Sequence, residues 1–490
     1  MSETDQPGQW SDKQKVIALL LEKKGIATRR DVSARRKSAE DISPLSYSQQ
    51  WLWDFEIFRP ESIYYNILNY AYINGQLRIK FLEDSLNDLI QRHETLRTTF
   101  ILREEKPLQK IHETLPLSLS VIDLTALRSR EQAERVQCLA QAEGTQPFDL
   151  YNGPLITCKI LKLTEDRYVL LLSLHHLISD GWSRGVLIHE LHELYRSKLL
   201  GEPAQLSPLP FQYADFVSQQ RQKLQGKTLE RHQAFWQNTL SGVAPILSHL
   251  RGYSLANAGT LHGEQQVFTM ADEVRSVLIS LNHRCNTTLF MTLLSAFQTL
   301  IYQEELQQDF IIYSRIANRT QPGLQQLIGC FFGMLALRSN VVDNPSFLQL
   351  LERTKRSCIS AYSYSDTPFE EVRRIIRSLN GLESNAPIQV VFEIIDFPPP
   401  ETSESLLNIA PLPFKVERNM FPFALDITVM NAHDQTNVIM EYNTTYFQAE
   451  NIADLWRDLI SIIKIASEQP QLTVQQIQRL SQVPDDKCSY

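Results

Sequence analysis

The chain has 490 residues, of which 43% are hydrophobic and 21% charged, and its formal net charge is −8. This composition is typical of a globular protein with two or three domains, or with one large two-lobed domain. The negative charge argues against nucleic acid as the main partner, and no apolar run approaches the ~20 residues of a membrane span.

The N-terminus and the cysteines indicate a cytoplasmic protein. The first residues, MSETD, are polar and acidic and do not resemble a signal peptide. The six cysteines are scattered without a C-x-x-C pair, a pattern that fits reduced thiols and no zinc site. They stand at positions 138, 158, 285, 330, 358 and 488.

Residues 1–40 have the pattern of an N-terminal extension. A short amphipathic helix is expected over residues 12–24, and five basic residues follow between positions 29 and 37. One interpretation is a solvated linker; the other is a docking segment that contacts an acidic partner. Residues 481–490 are expected to form a tail.

An amphipathic helix is predicted over residues 81–91, where leucine and isoleucine recur at helical spacing. It leads into the segment RHETLRTTF at residues 92–100. There, Arg97 stands beside the apolar side chains of Leu96 and Phe100. We expect this cation to be half-buried and paired with a carboxylate, with an unpaired surface arginine as the alternative.

Residues 168–195 predict a strand, a short loop and a helix. The run 168–174 is apolar apart from one serine, which is typical of a strand buried on both faces. From residue 183 apolar side chains recur at helical spacing, and Ser183 is expected to cap the helix N-terminus. The expected apolar face comprises Leu187, Ile188, Leu191, Leu194 and Tyr195. Residues 189–193 (HELHE) are one residue short of the zinc motif H-E-x-x-H, so we interpret them as a polar helix face without a metal.

The loop between this strand and this helix carries the candidate chemistry in His175, His176, Asp180 and Gly181. Because neighbouring strand residues point to opposite faces, only one histidine can face a substrate while the other packs inside. Histidine titrates near neutrality and can take a proton from a nucleophile. A buried Asp180 would need a cation or several donors, and Gly181 would permit a turn that other residues resist. A pair of core histidines is the alternative interpretation.

The second half of the chain repeats the mixture of helices and strands found in the first half. Segments rich in proline and glycine at residues 207–210 and 242–245 indicate the connection between the two halves. We predict an N-terminal lobe over residues 41–215 and a C-terminal lobe over residues 216–480. The predicted elements are helices at 274–283, 289–302 and 452–465 and strands at 310–314, 387–392 and 423–428.

Residues 175–181 (HHLISDG) resemble the HHxxxDG motif of condensation domains from nonribosomal peptide synthetases. Seven further segments resemble motifs of the same family in the same order, so that the resemblance covers about residues 44–480. These segments are residues 45–53, 92–100, 146–155, 211–216, 315–320, 328–338 and 366–370.

Two of these motifs contain departures from the family pattern. In S-x-A-Q-x-R-L-W, Ser48 stands for the usual Ala and Trp51 for the usual Arg, and the form is closer to domains that join L-configured donors. In I-G-x-F-V-N-T-L-x-L-R, Gly333 stands where Asn is usual. The departure at Gly333 implies a change in the handling of one substrate.

The resemblance implies an α/β (α+β) fold of two chloramphenicol-acetyltransferase-like lobes set as a V-shaped pseudodimer. The active site would lie in a tunnel at their junction. Donor and acceptor carrier proteins would bring phosphopantetheine-tethered substrates to its two ends, with no tightly bound cofactor and no metal. The acceptor amine would attack the donor thioester directly and form an amide, with proximity as a main source of catalysis.

The same resemblance implies roles for individual residues. His176 would be catalytic, because the second histidine of the motif is the active-site one. Motif and structural support would come from His175, Asp180, Gly181, Arg97 and Arg319, with either Arg97 or Arg319 holding Asp180. Candidate tunnel residues are Trp182, Ser314 and Gly333.

Several alternatives stay open. One is an ester-forming enzyme, or one that uses a free amine or alcohol acceptor, since the chain ends soon after the motifs and is either free-standing or cut from a longer synthetase. Another is an inactive docking platform, although such relatives tend to lose the second histidine, which is present here. Residues 181–185 also spell G-x-S-x-G, but a loop separates the apolar run from Ser183, unlike a hydrolase nucleophile elbow. Plant-type acyltransferases need a D-F-G-W-G segment, which this sequence lacks.

Overall fold

The computed structural model describes residues 42–58, 63–243, 262–305, 308–380, 389–396, 408–411, 421–432 and 435–481. The expected N-terminal extension and nearly all of the expected tail lie outside these residues. The strands are β1 (Ile42–Pro44), β2 (Asn66–Asn74), β3 (Thr98–Arg103), β4 (Lys106–Ile111), β5 (Ser120–Asp123), β6 (Ile156–Lys162), β7 (Arg167–His175), β8 (Gly263–Met270), β9 (Asp309–Ile316), β10 (Gly333–Asn340), β11 (Val390–Asp396), β12 (Asn408–Pro411), β13 (Leu425–Asn431) and β14 (Thr436–Asn443).

The helices are α1 (Tyr47–Phe58), α2 (Ile79–Arg92), α3 (Ser129–Gly144), α4 (Gly181–Leu200), α5 (Tyr213–Lys223), α6 (Gly226–Leu240), α7 (Asp272–Cys285), α8 (Leu289–Glu305), α9 (Phe347–Ser363), α10 (Phe369–Asn380), α11 (Ala449–Glu468) and α12 (Val474–Ser481). Short 3-10 turns stand at Glu94–Arg97, His176–Ile178 and Leu324–Gln326. No helix in the described parts of the chain is both long and apolar enough to cross a membrane.

The first lobe is built on a five-stranded sheet with the order β12-β2-β7-β6-β5. Its central strand β7 is antiparallel to both β2 and β6 and is buried at every position after the first, which confirms the predicted doubly buried strand. Alternation explains the burial: Leu170 and Leu172 point into the main core of the lobe, whereas Val169 and Leu171 point into a second cluster that includes α3.

Helix α4 follows the end of β7 and packs against α2. Its buried apolar stripe is narrower than expected and consists of Leu187, Leu191 and Tyr195, one residue per turn. The expectation that Ile188 belongs to this face is wrong, because its side chain is 39% exposed. This stripe lies in the same core as the buried leucines 82, 86 and 89 of α2.

The second lobe contains a six-stranded sheet with the order β10-β9-β11-β13-β14-β8. Strand β11 is parallel to both of its neighbours, and the other pairings are antiparallel. Helices α8, α9 and α11 supply most of the helical part of its core. The predicted helices and strands of this half are present with shifted ends, and the additional elements that the sequence did not predict include α9, α10 and α12 and the strands β8, β10, β12 and β14.

Two segments of the second half pack into the first lobe. Strand β12 pairs antiparallel with β2 and forms an edge of the first sheet. Residues 324–331 place Leu324, Ile328 and Phe331 in the first core. The boundary at residue 215 stays a prediction, and on packing grounds these two segments belong with the first lobe.

Candidate active site

His176 lies at the junction of the two lobes. Strand β7 ends at His175, and the backbone N–H of His176 donates to the Tyr65 carbonyl at 2.8 Å. The His176 ring stands edge-on to the Tyr65 ring, with centroids 6.1 Å apart. On its other side lies the ring of Phe332, just before β10, at 4.8 Å. Segments from both halves of the chain therefore build the surroundings of this imidazole.

The His176 imidazole is partly accessible and neutral at physiological pH. Its Nδ1 is buried and has no hydrogen-bond partner among the described residues. Burial lowers the pKa of His176 to about 4; Asp180 opposes this shift, and the nearby charges of His175 and Arg315 add to it. A neutral imidazole can accept a hydrogen bond or a proton from a substrate.

His175 occupies a different environment from its neighbour. Its side chain is buried, and Nδ1 accepts a hydrogen bond from the Leu177 N–H at 3.1 Å. Its Nε2 lies 3.7 Å from Oε1 of Glu56, which is also buried. The predicted division of the pair therefore matches the geometry, with His175 packed inside.

Asp180 is a buried anion at the N-cap of α4. Its Oδ1 accepts from Nη2 of Arg319 at 2.9 Å and from the Ser183 backbone N–H and hydroxyl at 2.8 and 2.7 Å. Its Oδ2 accepts from the Phe331 N–H at 3.0 Å. Four donated hydrogen bonds, one of them from the buried cation of Arg319, offset the desolvation of the carboxylate, so Asp180 fixes the loop.

Arg319, and not Arg97, is the partner of Asp180. The Nη1 of Arg97 donates to the His112 carbonyl, and Nη2 lies 3.8 Å from Oε1 of Glu94. Arg97 is thus half-buried and paired as expected, but its partner is on its own 3-10 turn. The expectation that Arg97 supports Asp180 is wrong, because its guanidinium contacts the His112 carbonyl and the Glu94 carboxylate instead.

The sequence predicted that Ser183 caps α4, but the N-cap is Asp180 and the helix begins at Gly181. The Ser183 hydroxyl is fully buried and accepts from Nη2 of Arg319 at 2.7 Å and from the Gly329 N–H at 3.0 Å. Its single proton is directed at Asp180 or at the Gly329 carbonyl. A buried hydroxyl engaged on all sides cannot act as a hydrolase nucleophile in this conformation.

The remaining predicted residues surround this loop. Gly181 is the first residue of α4, has no positive φ and would leave a Cβ in open space, so the expectation of a glycine-requiring turn is wrong. The indole N–H of Trp182 donates to the Gln325 carbonyl at 3.0 Å and thus ties α4 to the second half of the chain. Ser314 is buried in β9, and Gly333 begins β10 next to Phe332.

The segment 189–193, predicted to be a polar helix face, contains one buried carboxylate. Glu190 is buried, with its Oε2 at 2.7 Å from Nε2 of His93 and 3.0 Å from Nε of Arg92. Burial alone would raise the pKa of Glu190, but the hydrogen bonds and charges of His93 and Arg92 lower it below its ordinary value. This cluster joins α4 to the end of α2. Among the described residues, no group of three or more His, Cys, Asp or Glu side chains could hold a metal ion.

A charged cluster in the second lobe was missed by sequence reasoning. Arg315 on β9 contacts Glu393 on β11 at 2.5 Å and Asp426 on β13. Burial raises the pKa of Asp426 to about 8, although Arg315 opposes the shift. Each of these residues falls in an apolar strand pattern, so only the sheet order reveals that they meet.

Two cavities bear on the site. A cleft of about 20 Å³ between the lobes is lined by Trp51, Phe332 and Gly333, among others. A larger cavity of about 280 Å³ lies between α6, β10 and α9 and is lined by Arg338 and Arg353. His176 does not line the larger cavity. Phe332 lines the small cleft and contacts the His176 ring, so the small cleft is the one adjacent to the chemistry.

Comparison with known proteins identifies relatives along nearly the whole chain. A family model described as Condensation domain matches residues 39–487. The chain is 33% identical over 468 residues to one of the linear gramicidin synthase proteins of Brevibacillus parabrevis, a match that covers 96% of this chain and 6% of the relative. It is also 30% identical over 440 residues to phosphinothricin tripeptide synthetase PhsC of Streptomyces viridochromogenes, covering 89% of this chain and 40% of the relative. The chain thus spans only a fraction of the length of these relatives.

Solved structures share the fold. The chain is similar to the X-domain in its complex with OxyB from teicoplanin biosynthesis, with a TM-score of 0.78, 21% identity and coverage of 92% of this chain and 98% of that one. It is also similar to the first condensation domain of the calcium-dependent antibiotic synthetase, with a TM-score of 0.73, 16% identity and coverage of 90% and 99%. These likenesses confirm the expected α+β architecture of two chloramphenicol-acetyltransferase-like lobes.

Proposed function

The chain belongs to the condensation-domain family, and from this premise we propose that it joins a carrier-bound acyl or aminoacyl thioester to an acceptor amine. The observation that carries the proposal is the position of His176. Its neutral, partly accessible ring lies where the two lobes meet, on a loop held by the buried pair of Asp180 and Arg319. The product is an amide, of the kind that extends a nonribosomal peptide.

In the proposed reaction the acceptor nitrogen attacks the thioester carbonyl of the donor. A C–N bond forms, the C–S bond breaks, and the carrier thiol leaves with a proton. The proton lost by the nitrogen passes to His176 and from there to the departing sulfur. No acyl-enzyme is formed, which agrees with the burial of the Ser183 hydroxyl.

The low pKa of His176 bears on how it acts. A general base is most effective when its pKa lies near the operating pH, and a pKa of about 4 is well below that. His176 therefore serves first to orient the nitrogen by accepting its N–H and takes the proton only as the C–N bond forms. Most of the rate enhancement comes from holding two tethered reactants at attack distance.

The expected partners are a donor carrier protein and an acceptor carrier protein, each presenting its substrate on phosphopantetheine. A free amine or alcohol acceptor would be a variant of the same site, and a cytoplasmic location is part of this proposal. A recruiting platform is a second candidate, because the X-domain that shares this fold is found in complex with OxyB. The presence of His176 favours the catalytic candidate.

An intact-mass assay tests the proposal. The chain is mixed with a loaded donor carrier and a panel of carrier-bound amines, free amines and free alcohols, and products are weighed. We expect amide products, and we expect His176→Ala to slow their formation by about 10²–10⁴-fold. The exposed histidine on α4, as His189→Ala, is the matched control and should retain full activity.

Other outcomes decide between the candidates. Products with alcohols alone would identify an ester-forming enzyme of the same family. Equal rates for His176→Ala and His189→Ala would contradict the role of His176. Binding of both carriers without any transfer would favour the recruiting platform.

A further inference from the structure

Departures from the family motifs converge on one place in the fold. The cleft of about 20 Å³ between the lobes is lined by Ser48, Trp51, Phe332, Gly333 and Met334. In the motifs S-x-A-Q-x-R-L-W and I-G-x-F-V-N-T-L-x-L-R, these five residues stand where Ala, Arg, Val, Asn and Thr are usual. The first two residues come from α1 and the other three from residues 332–334, where β10 begins, so two segments distant in the sequence meet at this cleft.

These residues extend an aromatic wall outward from His176. The Phe332 ring lies 4.8 Å from the His176 ring and 5.6 Å from the Trp51 ring, measured between centroids. Trp51 in turn meets Phe369, at the start of α10, edge-on at 5.3 Å. The Ser48 hydroxyl donates to the Phe332 carbonyl at 2.5 Å and fixes the backbone there. Phe332 and Trp51 are both partly exposed, so their rings are accessible from the cleft.

The replacements also change the polarity of the cleft and redistribute space within it. The usual cation and amide are absent at residues 51 and 333, and larger rings stand at residues 51 and 332. Gly333 lets the Ile316 side chain approach closely, since a Cβ at this position would come within 3.2 Å of it. A cleft of about 20 Å³ holds roughly one water molecule, so an entering group has to take the place of a ring.

We propose that Phe332 and Trp51 are specificity-determining residues that select a substrate with an aromatic group next to its reacting carbon or nitrogen. The entering ring moves the Phe332 ring aside and packs against it, Trp51 and Phe369, and no cation lines the described walls of the cleft. This inference rests on the proposed function. The aromatic group is carried either by the donor acyl chain or by the acceptor amine, and the two sources are separated by experiment.

The expected selectivity follows from the energy of an aromatic pair. Such a pair contributes about 0.5–1.5 kcal/mol beyond area burial, which corresponds to roughly 2–12-fold in rate or affinity. In one arm of the experiment, phenylacetyl and hexanoyl thioesters of a carrier compete for glycine amide. In the other arm, phenylalanine amide and norleucine amide compete for an acetyl thioester. The arm with the larger ratio identifies the source of the ring.

Two variants test the wall, and a third is the matched control. Phe332→Val and Trp51→Arg should each reduce the aromatic preference toward 1 in the selective arm. Phe268→Val removes a similarly exposed ring that stacks on Trp456 at 5.1 Å on the second lobe, and it should leave the ratio unchanged. A competition ratio is insensitive to a general loss of activity or of folded protein. Equal ratios for the wild type and both variants, or no preference in either arm, would overturn the inference.

A binding measurement separates this inference from the proposed function. His176→Ala is titrated with the phenylacetyl and hexanoyl amides of pantetheine and with N-acetyl phenylalanine amide and N-acetyl norleucine amide, by calorimetry. The pocket is supported if His176→Ala binds a ring-bearing ligand more tightly than its aliphatic counterpart and if adding Phe332→Val removes this difference. This result supports the pocket even if no transfer occurs. Equal binding of all four ligands, or binding of none, counts against the pocket even if the chain proves to form amides.

Discussion

At the scale of single residues, the site depends on two neighbouring histidines that the backbone places in different environments. His175 ends strand β7 and turns into the core beside Glu56. His176 begins a 3-10 turn and faces the aromatic rings of Tyr65 and Phe332. A histidine thus serves once as a packed hydrogen-bond acceptor and once as a partly accessible neutral base, and burial keeps the second ring neutral against the opposing charge of Asp180.

The depressed pKa of His176 predicts a pH-dependent stability. Because the folded pKa of about 4 lies below the unfolded value, the unfolded chain binds the extra proton as the pH falls from about 6.5 to 4. The contribution is therefore present in full above pH 6.5 and is lost through that window, by about 3 kcal/mol at most. We expect His176→Asn to show a shallower loss of stability than the wild type in urea unfolding between pH 7 and 4. The exposed His189→Asn should keep the wild-type slope, and a variant His176→Asn with that same slope would contradict the assignment.

The buried hydroxyl of Ser183 predicts a structural and not a nucleophilic role. Ser183→Ala leaves the Gly329 N–H without its acceptor and removes one acceptor from Arg319. Loss of a partner from buried donors typically costs roughly 1–3 kcal/mol, so the free energy of unfolding in urea should fall by that amount while condensation continues below the melting temperature. The exposed Ser280→Ala is the control and should stay within about 0.5 kcal/mol. Labelling of Ser183 by a fluorophosphonate, with abolished turnover in a folded Ser183→Ala, would restore the hydrolase interpretation.

Gly333 predicts an effect on substrate choice and little effect on stability. The glycine has no positive φ, and a new Cβ would meet only the Ile316 side chain, with Cγ1 at 3.2 Å and Cδ1 at 3.4 Å. We therefore expect Gly333→Asn to change the stability by less than about 1 kcal/mol, while the relative rates across a panel of acceptors shift. Thermal unfolding and competition assays on the same preparations measure both quantities. Unchanged relative rates would show that this position does not line the path of a substrate.

At the scale of elements, two buried carboxylates anchor helix α4 to its surroundings. Its N-cap is Asp180, and in its middle Glu190 binds Arg92 and His93. We expect Glu190→Ala to destabilise the protein by about 3 kcal/mol, because it leaves two buried or half-buried partners without a carboxylate. One turn further along the helix, Glu193→Ala removes a partly exposed contact with Arg196 and should cost less than about 1 kcal/mol in the same chemical unfolding experiment. Similar losses for both variants would mean that Glu190 is not an anchor of this helix.

The elements around the motif are those that local sequence patterns describe best. Strand β7 and helices α2 and α4 were predicted because a continuous apolar run and a 3.6-residue period each have one simple structural solution. The details that failed depend on tertiary neighbours. Ile188 fits the period of α4 but its side chain is exposed, and Ser183 has the chemistry of an N-cap but is used by Arg319 and Gly329 from the other half of the chain. Helix α12 is only two turns long, too short for its period to be distinctive.

At the scale of the whole molecule, the two halves of the chain are interlocked at the site. The loop 317–332 leaves the second sheet, enters the core of the first lobe and supplies Arg319 and Phe331 to Asp180 before β10 begins. Strand β12 also comes from the second half of the chain, and it joins the first sheet by pairing with β2. The family resemblance predicted two lobes and a site at their junction, but periodicity within a segment contains no information about which sheet it joins. The choice between Arg97 and Arg319 likewise could not be made from the sequence.

The pair of Asp180 and Arg319 is therefore expected to couple the lobes energetically, and a double-mutant cycle measures this coupling. Breaking a buried ion pair by changing one partner typically costs about 3–5 kcal/mol, since the other charge is left buried and unpaired. We expect Asp180→Asn and Arg319→Gln each to fall in this range, and the double variant to be more stable than the sum of the two losses by about 1–3 kcal/mol. The surface pair of Lys223 and Asp366, changed to Lys223→Gln and Asp366→Asn, is the control cycle and should give a coupling below about 1 kcal/mol. Strict additivity at Asp180 and Arg319 would mean that this pair does not couple the lobes, and that the other contacts of the active-site loop hold it in place.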